Sequence, residues 1–149
     1  MTGAPRLSFS IECPTEFRQG TPAKPMPRRR PAWLTQNDVR RMHWAEHGRR
    51  VAQWKTLAML AARPRPEAPM PVRVAVHAWP EKSGRMFDGD AIAPSVKACI
   101  DGLVLAGVLV DDTPAWVGPI TYQPPERVPA GQDRLRLELI PIPDEGETP

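Results

Sequence analysis

Several features are scarce in this chain of 149 residues, and each scarcity excludes a class of protein. There are only two cysteines, Cys13 and Cys99, so the chain is not a disulfide scaffold and we expect two reduced thiols. No apolar run approaches the roughly 20 residues that a membrane-spanning helix needs. No charged segment followed by an apolar stretch marks a secretory signal at the N-terminus. These absences predict a cytoplasmic protein without a membrane partner.

Charge is abundant and unevenly distributed. Residues 1–63 hold 12 of the 20 Lys and Arg but only 4 of the 17 Asp and Glu, so residues 64–149 are net acidic. A basic half beside an acidic half is typical of a nuclease, which needs phosphate contacts next to a metal site. A scattered solvated surface is the alternative. A membrane-surface helix is disfavoured, because the basic residues of 18–30 lie among prolines.

The hydrophobic pattern predicts a mixed sheet. Alternating or short apolar runs predict strands at residues 7–13, 72–79, 108–110, 116–122 and 134–142. Between the first strand and the first helix, residues 14–31 contain five prolines and the triplet Arg28-Arg29-Arg30. Proline disfavours regular structure, so this segment is predicted to be a basic loop.

Two helices are predicted. The first runs from near Trp44 to Ala62, and its buried face consists of Trp44, Val51, Trp54, Leu57, Ala58 and Ala61. The second has Pro94 in its first turn and ends at Gly107. The element order β-α-β-α-β-β-β predicts an α/β (α+β) fold, a single mixed-sheet domain over residues 1–143. Residues 144–149 are predicted to be an acidic disordered tail.

The acidic residues of the second half are concentrated around one lysine, Lys97. They are Asp88, Asp90, Asp101, Asp111 and Asp112. Acids at i and i+2 of an extended segment point to the same side of the backbone. Two carboxylates about 4 Å apart repel by roughly 4 kcal/mol at an effective dielectric of 20, and a divalent cation with oxygen ligands offsets that repulsion. The pattern therefore indicates a metal site.

The order D-x-D, helix with lysine, then V-D-D resembles the RusA family of Holliday junction resolvases. Phage and prophage members read close to D-x-D-N-L-x-P-T-V-K-A-x-x-D-G-L in this stretch. Residues 34–44 also resemble the family segment L-x-x-N-D-x-x-H-W, with two more residues between Asp38 and His43 in this chain. The resemblance covers roughly residues 7–140, with residues 14–31 as an insertion. It departs from the family at Ala91, where the family has asparagine.

The resemblance implies a RusA-like fold and a Mg²⁺-dependent endodeoxyribonuclease, with Mn²⁺ as an alternative metal. Such an enzyme resolves four-way junctions by paired nicks in DNA recombination and repair, acts as a homodimer, and is encoded by phages or prophages in a bacterial cytoplasm. By position, Asp88, Asp90 and Asp112 would hold the metal, and Lys97 would stabilise the charged transition state or help protonate the leaving oxygen. The predicted nucleic-acid contacts are Arg28, Arg29, Arg30, Asn37, Arg40, Arg41, His43, Arg49, Arg50 and Lys97.

Several alternatives remain open at this point. Asp111 and Asp112 could form an ordinary turn, and Asp101 could pair with Lys97 one helical turn away. Residues 43–47 fit the H-x-x-E-H pattern of inverted zinc proteases, although so short a match is common by chance. His43 could instead cap the helix. Because of Ala91, a catalytically weakened or inactive junction-binding protein is the second functional hypothesis.

Overall fold

A computed structural model describes residues 6–18, 22–23, 28–63, 71–81, 88–129 and 131–142, with only the backbone at 17–18 and 28–30. The elements are β1 (Leu7–Glu12), β2 (Thr15–Arg18), β3 (Arg28–Pro31), α1 (Gln36–Arg41), α2 (Trp44–Ala61), β4 (Val72–Trp79), a 3₁₀ helix (Gly89–Ile92), α3 (Ala93–Leu105), β5 (Val117–Tyr122) and β6 (Arg134–Pro141). No helix in these ranges is long and apolar enough to span a membrane. The predicted tail at 144–149 lies outside the described residues.

The central sheet has four strands in the order β1-β6-β4-β5. β6 pairs antiparallel with both β1 and β4, whereas β4 and β5 are parallel and are connected through α3. The alternating leucines Leu135, Leu137 and Leu139 of β6 are buried, because every second side chain of a strand points to the same face. The predicted α+β fold, a mixed sheet with two main helices, is confirmed.

Helix α3 begins and ends as its sequence predicts. Pro94 lies in the first turn, where its missing N–H costs nothing. Gly107 has φ +82°, and its amide donates to Val104 O at 3.0 Å while the Val108 amide donates to Leu103 O at 3.0 Å. This pair of bonds is the Schellman closure, which requires the left-handed backbone that glycine adopts without strain.

The predicted strand at Val108–Val110 is wrong. Val108 and Leu109 are buried, but both of their amides bond to Leu103 O of α3, so neither amide pairs with a strand. Val110 is 46% exposed. The apolar run therefore packs the turn after α3 against the core and leads directly to Asp111.

The prediction that residues 14–31 lack regular structure is wrong at both ends of the segment. β2 and β3 form a two-stranded antiparallel ladder in which Thr15 lies opposite Pro31. The ladder is compatible with proline, because Pro14 precedes β2 and Pro31 is the last residue of β3. Residues 19–21 and 24–27 lie outside the described part of the chain.

The predicted helix at 44–62 is confirmed as α2, but the prediction that Trp44 belongs to its buried face is wrong. Trp54 and Ala58 are fully buried, whereas Trp44 is 80% exposed. The short helix α1 precedes it as a separate element, and the Thr35 side chain caps α1 by accepting from Asp38 N at 3.2 Å. Trp44 belongs to the junction between the two helices and not to the core.

Helices α2 and α3 approach most closely at Gly102. A Cβ built there would clash with the Lys55 carbonyl oxygen and lie 3.0 Å from Ala58 Cβ. We expect Gly102→Ala to lower the free energy of unfolding by about 1–2 kcal/mol, because an extra methyl group in a packed contact forces the helices apart. Denaturant unfolding monitored by circular dichroism measures this change.

Gly48 provides the matched control within α2. It is exposed, and a Cβ there meets no atom within 4 Å. Gly48→Ala should stabilise the protein by up to about 1 kcal/mol, since alanine is the better helix former. If both substitutions were stabilising, the contact between α2 and α3 would not be as close as described.

Candidate active site

A cavity of about 490 Å³ lies between α3, β5 and the α1–α2 region. It contains two of the predicted catalytic residues, Lys97 and Asp112. Its other lining residues are Gln36, Val39, His47, Ala93, Pro94, Val96, Ile100, Asp101, Pro114, Val117, Gly118, Ile120 and Tyr122. A concave site of this volume, mostly apolar and with a few polar groups, is typical of a ligand-binding or catalytic site.

Lys97 and Asp112 form an ion pair in this cavity. Lys97 Nζ lies 3.8 Å from Asp112 Oδ2, and the two side chains are 73% and 41% exposed. Exposed pairs of this kind contribute about 0–1 kcal/mol to stability, so the pair is not needed to hold the fold together. Both groups therefore remain available to a substrate.

The predicted pair between Lys97 and Asp101 does not form. Among the described carboxylates, only that of Asp112 lies within ion-pair distance of Lys97. Asp101 nevertheless lines the same cavity. Asp101 is thus a third charged side chain in the cavity lining, and it does not pair with Lys97.

Asp111 and Asp112 have different roles. Asp111 Oδ1 accepts a hydrogen bond from the Asp112 amide at 2.8 Å, as an aspartate in a turn does. Asp112 lines the cavity and faces Lys97. The turn interpretation thus describes Asp111, which shapes the backbone that presents the Asp112 carboxylate.

Asp88 and Asp90 do not share one extended segment, so the premise used to place them on one side is wrong. Asp88 is extended and precedes the 3₁₀ helix, whereas Asp90 lies within that helix. Both side chains are exposed. The 3₁₀ turn is packed on the end of β5, since a Cβ at Gly89 would lie 3.2 Å from Tyr122 Cβ and 3.3 Å from Gln123 O.

Tyr122 lines the cavity and is close enough to Asp90 for the two to interact electrostatically. Burial raises the pKa of Tyr122, and the negative charge of Asp90 raises it further. The hydroxyl therefore stays protonated at neutral pH and can donate a hydrogen bond inside the cavity that it lines. The sequence analysis places Tyr122 only in a strand and does not predict it as a site residue. Tyr122 is the single tyrosine of the chain and the last residue of β5, and these two features are the signal that points to it.

The carboxylates suit a hard divalent cation in their chemistry, because Mg²⁺ is held by carboxylate oxygens and water. Asp112 lines the cavity and faces Lys97, whereas Asp90 is not one of its lining residues and is linked to it only by its electrostatic effect on Tyr122. Within the described ranges, however, no three His, Cys, Asp or Glu residues come together as a metal-binding group. Of the aspartates, Asp101 and Asp112 line the cavity, and Asp88 and Asp90 lie outside its lining.

Two buried contacts hold the α1–α2 region against this cavity. The Leu34 amide donates to Ser95 Oγ at 2.8 Å, and that hydroxyl donates to Leu34 O at 3.0 Å. Trp54 Nε1 donates to Ala32 O at 3.0 Å. Because Ser95 is in the first turn of α3, these bonds place the α1–α2 region beside Lys97.

Most of the predicted nucleic-acid contacts are exposed. Asn37, Arg40 and Arg41 lie on α1, and His43 and Arg49 lie at and within the first half of α2. For Arg28, Arg29 and Arg30 the structure places only the backbone, in β3, so the predicted role of their side chains lies outside the described residues.

The prediction that Arg50 contacts nucleic acid is wrong, because its side chain is buried. Its side chain is 5% exposed and forms ion pairs with Glu16 of β2 and Glu46 of α2, the latter at 3.1 Å. A guanidinium buried between two carboxylates is not accessible to a phosphate. Arg50 ties the β2–β3 hairpin to α2, and helical periodicity gave no sign of this because Glu16 lies 34 residues away in sequence.

The zinc alternative at residues 43–47 is not supported by the local contacts. His43 caps α2, with its Nδ1 accepting from the Ala45 amide at 3.2 Å, so the capping interpretation is confirmed. Glu46 bonds Arg50. His47 lines the cavity. His43 Nδ1 and the Glu46 carboxylate are therefore engaged in separate local contacts.

Comparisons with known proteins do not assign this chain to a family. No protein-family model matches it, and no curated protein matches it. The resemblance to the RusA family therefore rests on the quoted residues alone.

Proposed function

We propose that this protein is a Mg²⁺-dependent endodeoxyribonuclease that cuts branched DNA, with the four-way junction as its substrate. The observation that carries the proposal is the pairing of Lys97 with Asp112, at 3.8 Å, in a cavity that Asp101 and Tyr122 also line. A cation, carboxylates and a protonated hydroxyl around one cavity are the groups that phosphodiester cleavage uses.

Asp88, Asp90 and Asp112 would hold the metal, which supplies a lowered pKa for the attacking water and neutralises charge on the phosphate. Lys97 is largely exposed and would bind the phosphate or the developing charge. Tyr122 is protonated and would donate a hydrogen bond to a phosphate oxygen. Asp111 positions Asp112 through the backbone amide.

The surface near the cavity supports a DNA partner. Arg40 and Arg41 end α1 with exposed side chains, and His43 follows them. Trp44 is 80% exposed, with its ring 5.4 Å from the ring of His43, and His47 one turn later lines the cavity. Basic residues interleaved with an exposed aromatic ring are suited to phosphates and to an unpaired base.

A DNA-junction binder that does not cut is the second candidate. It is favoured by the separation of the carboxylates, which form no metal-binding group of three in the described chain, and by Ala91 in place of the family asparagine. The two candidates share the binding surface and differ only in the chemistry of the cavity.

Incubation of the purified protein with a four-way junction and with duplex DNA of matched sequence tests the proposal. We expect Mg²⁺-dependent nicks in opposing strands of the junction, little cutting of the duplex, and none in EDTA. Junction binding without cleavage in Mg²⁺ or Mn²⁺ would select the second candidate. Absence of junction-selective binding would reject both.

Paired nicks require two active sites on one junction, so we propose a homodimer. Light scattering of the protein with and without a junction measures the stoichiometry. A strictly monomeric protein that still makes paired nicks would contradict this part of the proposal.

Ala91 gives a prediction specific to this chain. It is half-buried in the 3₁₀ helix, and its amide donates to Asp88 O at 3.0 Å. Ala91→Asn would place a carboxamide immediately after Asp90, where it can orient a carboxylate or a bound water. Changes next to metal ligands typically alter affinity or activity 10–100-fold, so we expect a rate about tenfold higher or a lower Mg²⁺ requirement.

Magnesium titrations of cleavage for both proteins, on the same junction, measure this effect, with junction affinity as the control. A variant no faster at any Mg²⁺ concentration, with unchanged junction affinity, would show that Ala91 is accommodated without loss.

A further inference from the structure

The face of the sheet opposite the helices carries a cluster of basic and aromatic side chains, which we call the outer face. It is formed by alternate residues of β4 and β6, including Arg73, His77, Trp79, Arg134 and Arg136. The core cluster contains the intervening residues of these strands and none of these five. The cavity with Lys97 lies on the helix side, so the outer face is a separate surface.

Cross-strand register brings two guanidinium groups onto one indole ring. Trp79 pairs with Arg134, and the neighbouring outward pair is His77 with Arg136. Arg134 Cζ lies 4.6 Å and Arg136 Cζ 5.5 Å from the Trp79 ring centroid. The His77 ring is stacked near the same indole, 6.0 Å away at 18°. Cation–π contacts thus hold both arginines in place.

The carboxylates near this cluster are not used to neutralise the two arginines. Glu138 pairs with Arg6 at 3.0 Å and lies 3.8 Å from His77. Neither Arg134 nor Arg136 is within ion-pair distance of a carboxylate in the described part of the chain. The Nε of Arg136 is buried and has no hydrogen-bond partner. The two guanidinium groups therefore carry positive charge that no direct ion pair neutralises in the described chain.

Two acids flank the arginines, since Glu12 lies opposite Arg134 in the β1–β6 ladder and Glu138 is two residues from Arg136, but neither forms an ion pair with Arg134 or Arg136 in the described chain. Guanidinium groups present several fixed N–H donors that match phosphate oxygens, and their planes also stack on bases. Arg134 and Arg136 are two residues apart on one strand, about 7 Å, and Arg73 adds an exposed cation at the far end of β4. The chemistry that fits is an anionic strand with exposed bases.

We propose that the outer face binds single-stranded DNA, through phosphate contacts of Arg134 and Arg136 on the Trp79 platform. Proteins that bind single strands combine a positive surface with flat groups on which bases stack. Here the guanidinium planes would supply that surface, because Trp79 itself is covered by the two arginines and His77. The site goes beyond the proposed nuclease activity and does not depend on it. On a branched substrate it would hold a different DNA segment from the one in the cavity.

Fluorescence anisotropy of a labelled oligothymidylate, in EDTA and at several salt concentrations, tests the proposal. The Arg134→Gln, Arg136→Gln double variant should bind the oligonucleotide about tenfold or more weakly. The slope of log affinity against log salt should fall by about 1.4, which is 0.7 for each of two phosphates on a single strand. Trp79→Ala should weaken binding as well, because the arginines lose their platform, while Trp79→Phe should retain most of it.

The matched control is Lys55→Gln in α2 with Arg63→Gln just beyond the end of α2, which removes the same charge from the helix side and should leave the affinity within about twofold. Unfolding midpoints establish that each variant is folded. Unchanged affinity in the folded double variant would overturn the proposal, as would an equal loss of affinity for duplex DNA. Because binding is measured in EDTA, where metal-dependent cleavage does not occur, failure of the nuclease proposal would leave this one standing.

Discussion

Replacing Asp112 with asparagine is expected to slow cleavage of a four-way junction by at least about 100-fold while junction binding is retained or strengthened. The substitution removes one proposed metal ligand and one negative charge facing Lys97. Loss of a ligand should cost at least as much as the 10–100-fold typical of the groups that only orient ligands. Binding should not weaken, because a carboxylate near the phosphate is repulsive until a metal is bound.

Asp111→Asn is the matched control. The asparagine Oδ1 can still accept the hydrogen bond that Asp111 takes from the Asp112 amide, so the backbone keeps its shape. We expect cleavage within a few fold of the unmodified protein. Gel assays of strand cleavage and of junction binding measure both variants. Equal loss of activity in both, or none in Asp112→Asn, would remove Asp112 from the proposed site.

Replacing Arg50 with alanine is expected to lower the free energy of unfolding by about 3 kcal/mol. Its side chain is 5% exposed and pairs with Glu16 and Glu46, so truncation leaves a cavity and two uncompensated acids. Breaking a buried ion pair by removing one partner typically costs 3–5 kcal/mol. The value lies at the low end, because the glutamates are 23% and 38% exposed and can be hydrated.

Arg49→Ala is the control for this prediction, because Arg49 is the exposed neighbour on the same helix. Its free energy of unfolding should stay within about 0.5 kcal/mol of the unmodified protein. Hydrogen exchange should also show lost protection in β2 and β3 for Arg50→Ala alone, since the ion pair with Glu16 joins that hairpin to α2. Similar free energies of unfolding for the two variants would show that the ion pairs of Arg50 do not stabilise the contact between the β2–β3 hairpin and α2.

The sequence predicted the elements whose signals are local. β1 and most of β4 and β6 alternate between buried and more exposed positions, and α3 carries its own start and stop residues, Pro94 and Gly107. In these segments one face packs on the core, so the hydrophobic period reports the element directly.

Features that depend on distant partners could not be read in the same way. The β2–β3 ladder pairs residues on either side of a proline-rich connection, and Arg50 is buried only because Glu16 comes to meet it. Trp44 follows the helical period of its buried neighbours, yet the chain enters α2 at this residue, beyond the edge of the core. Periodicity shows which face of a helix is apolar but not how far the core extends along it.

The candidate site divides in a similar way. The aspartates, Lys97 and their spacing were visible in the sequence, and the structure places Lys97 beside Asp112 as one ion pair. The geometry that the sequence assigned to Asp88 and Asp90 was wrong, because the segment turns into a 3₁₀ helix. Tyr122 lies near Asp90 because the 3₁₀ helix packs on the end of β5, and no local sequence pattern predicts that packing.

Direct measurement of cation binding tests the central claim, that Asp88, Asp90 and Asp112 hold a divalent metal at this cavity. Electron paramagnetic resonance of Mn²⁺ titrated into the protein counts bound ions without requiring catalysis. We predict saturable binding that Mg²⁺ displaces, that Asp90→Asn with Asp112→Asn abolishes, and that Asp101→Asn leaves in place. Saturable binding that survives the double substitution, or no binding by the unmodified protein with or without a junction, would contradict the account.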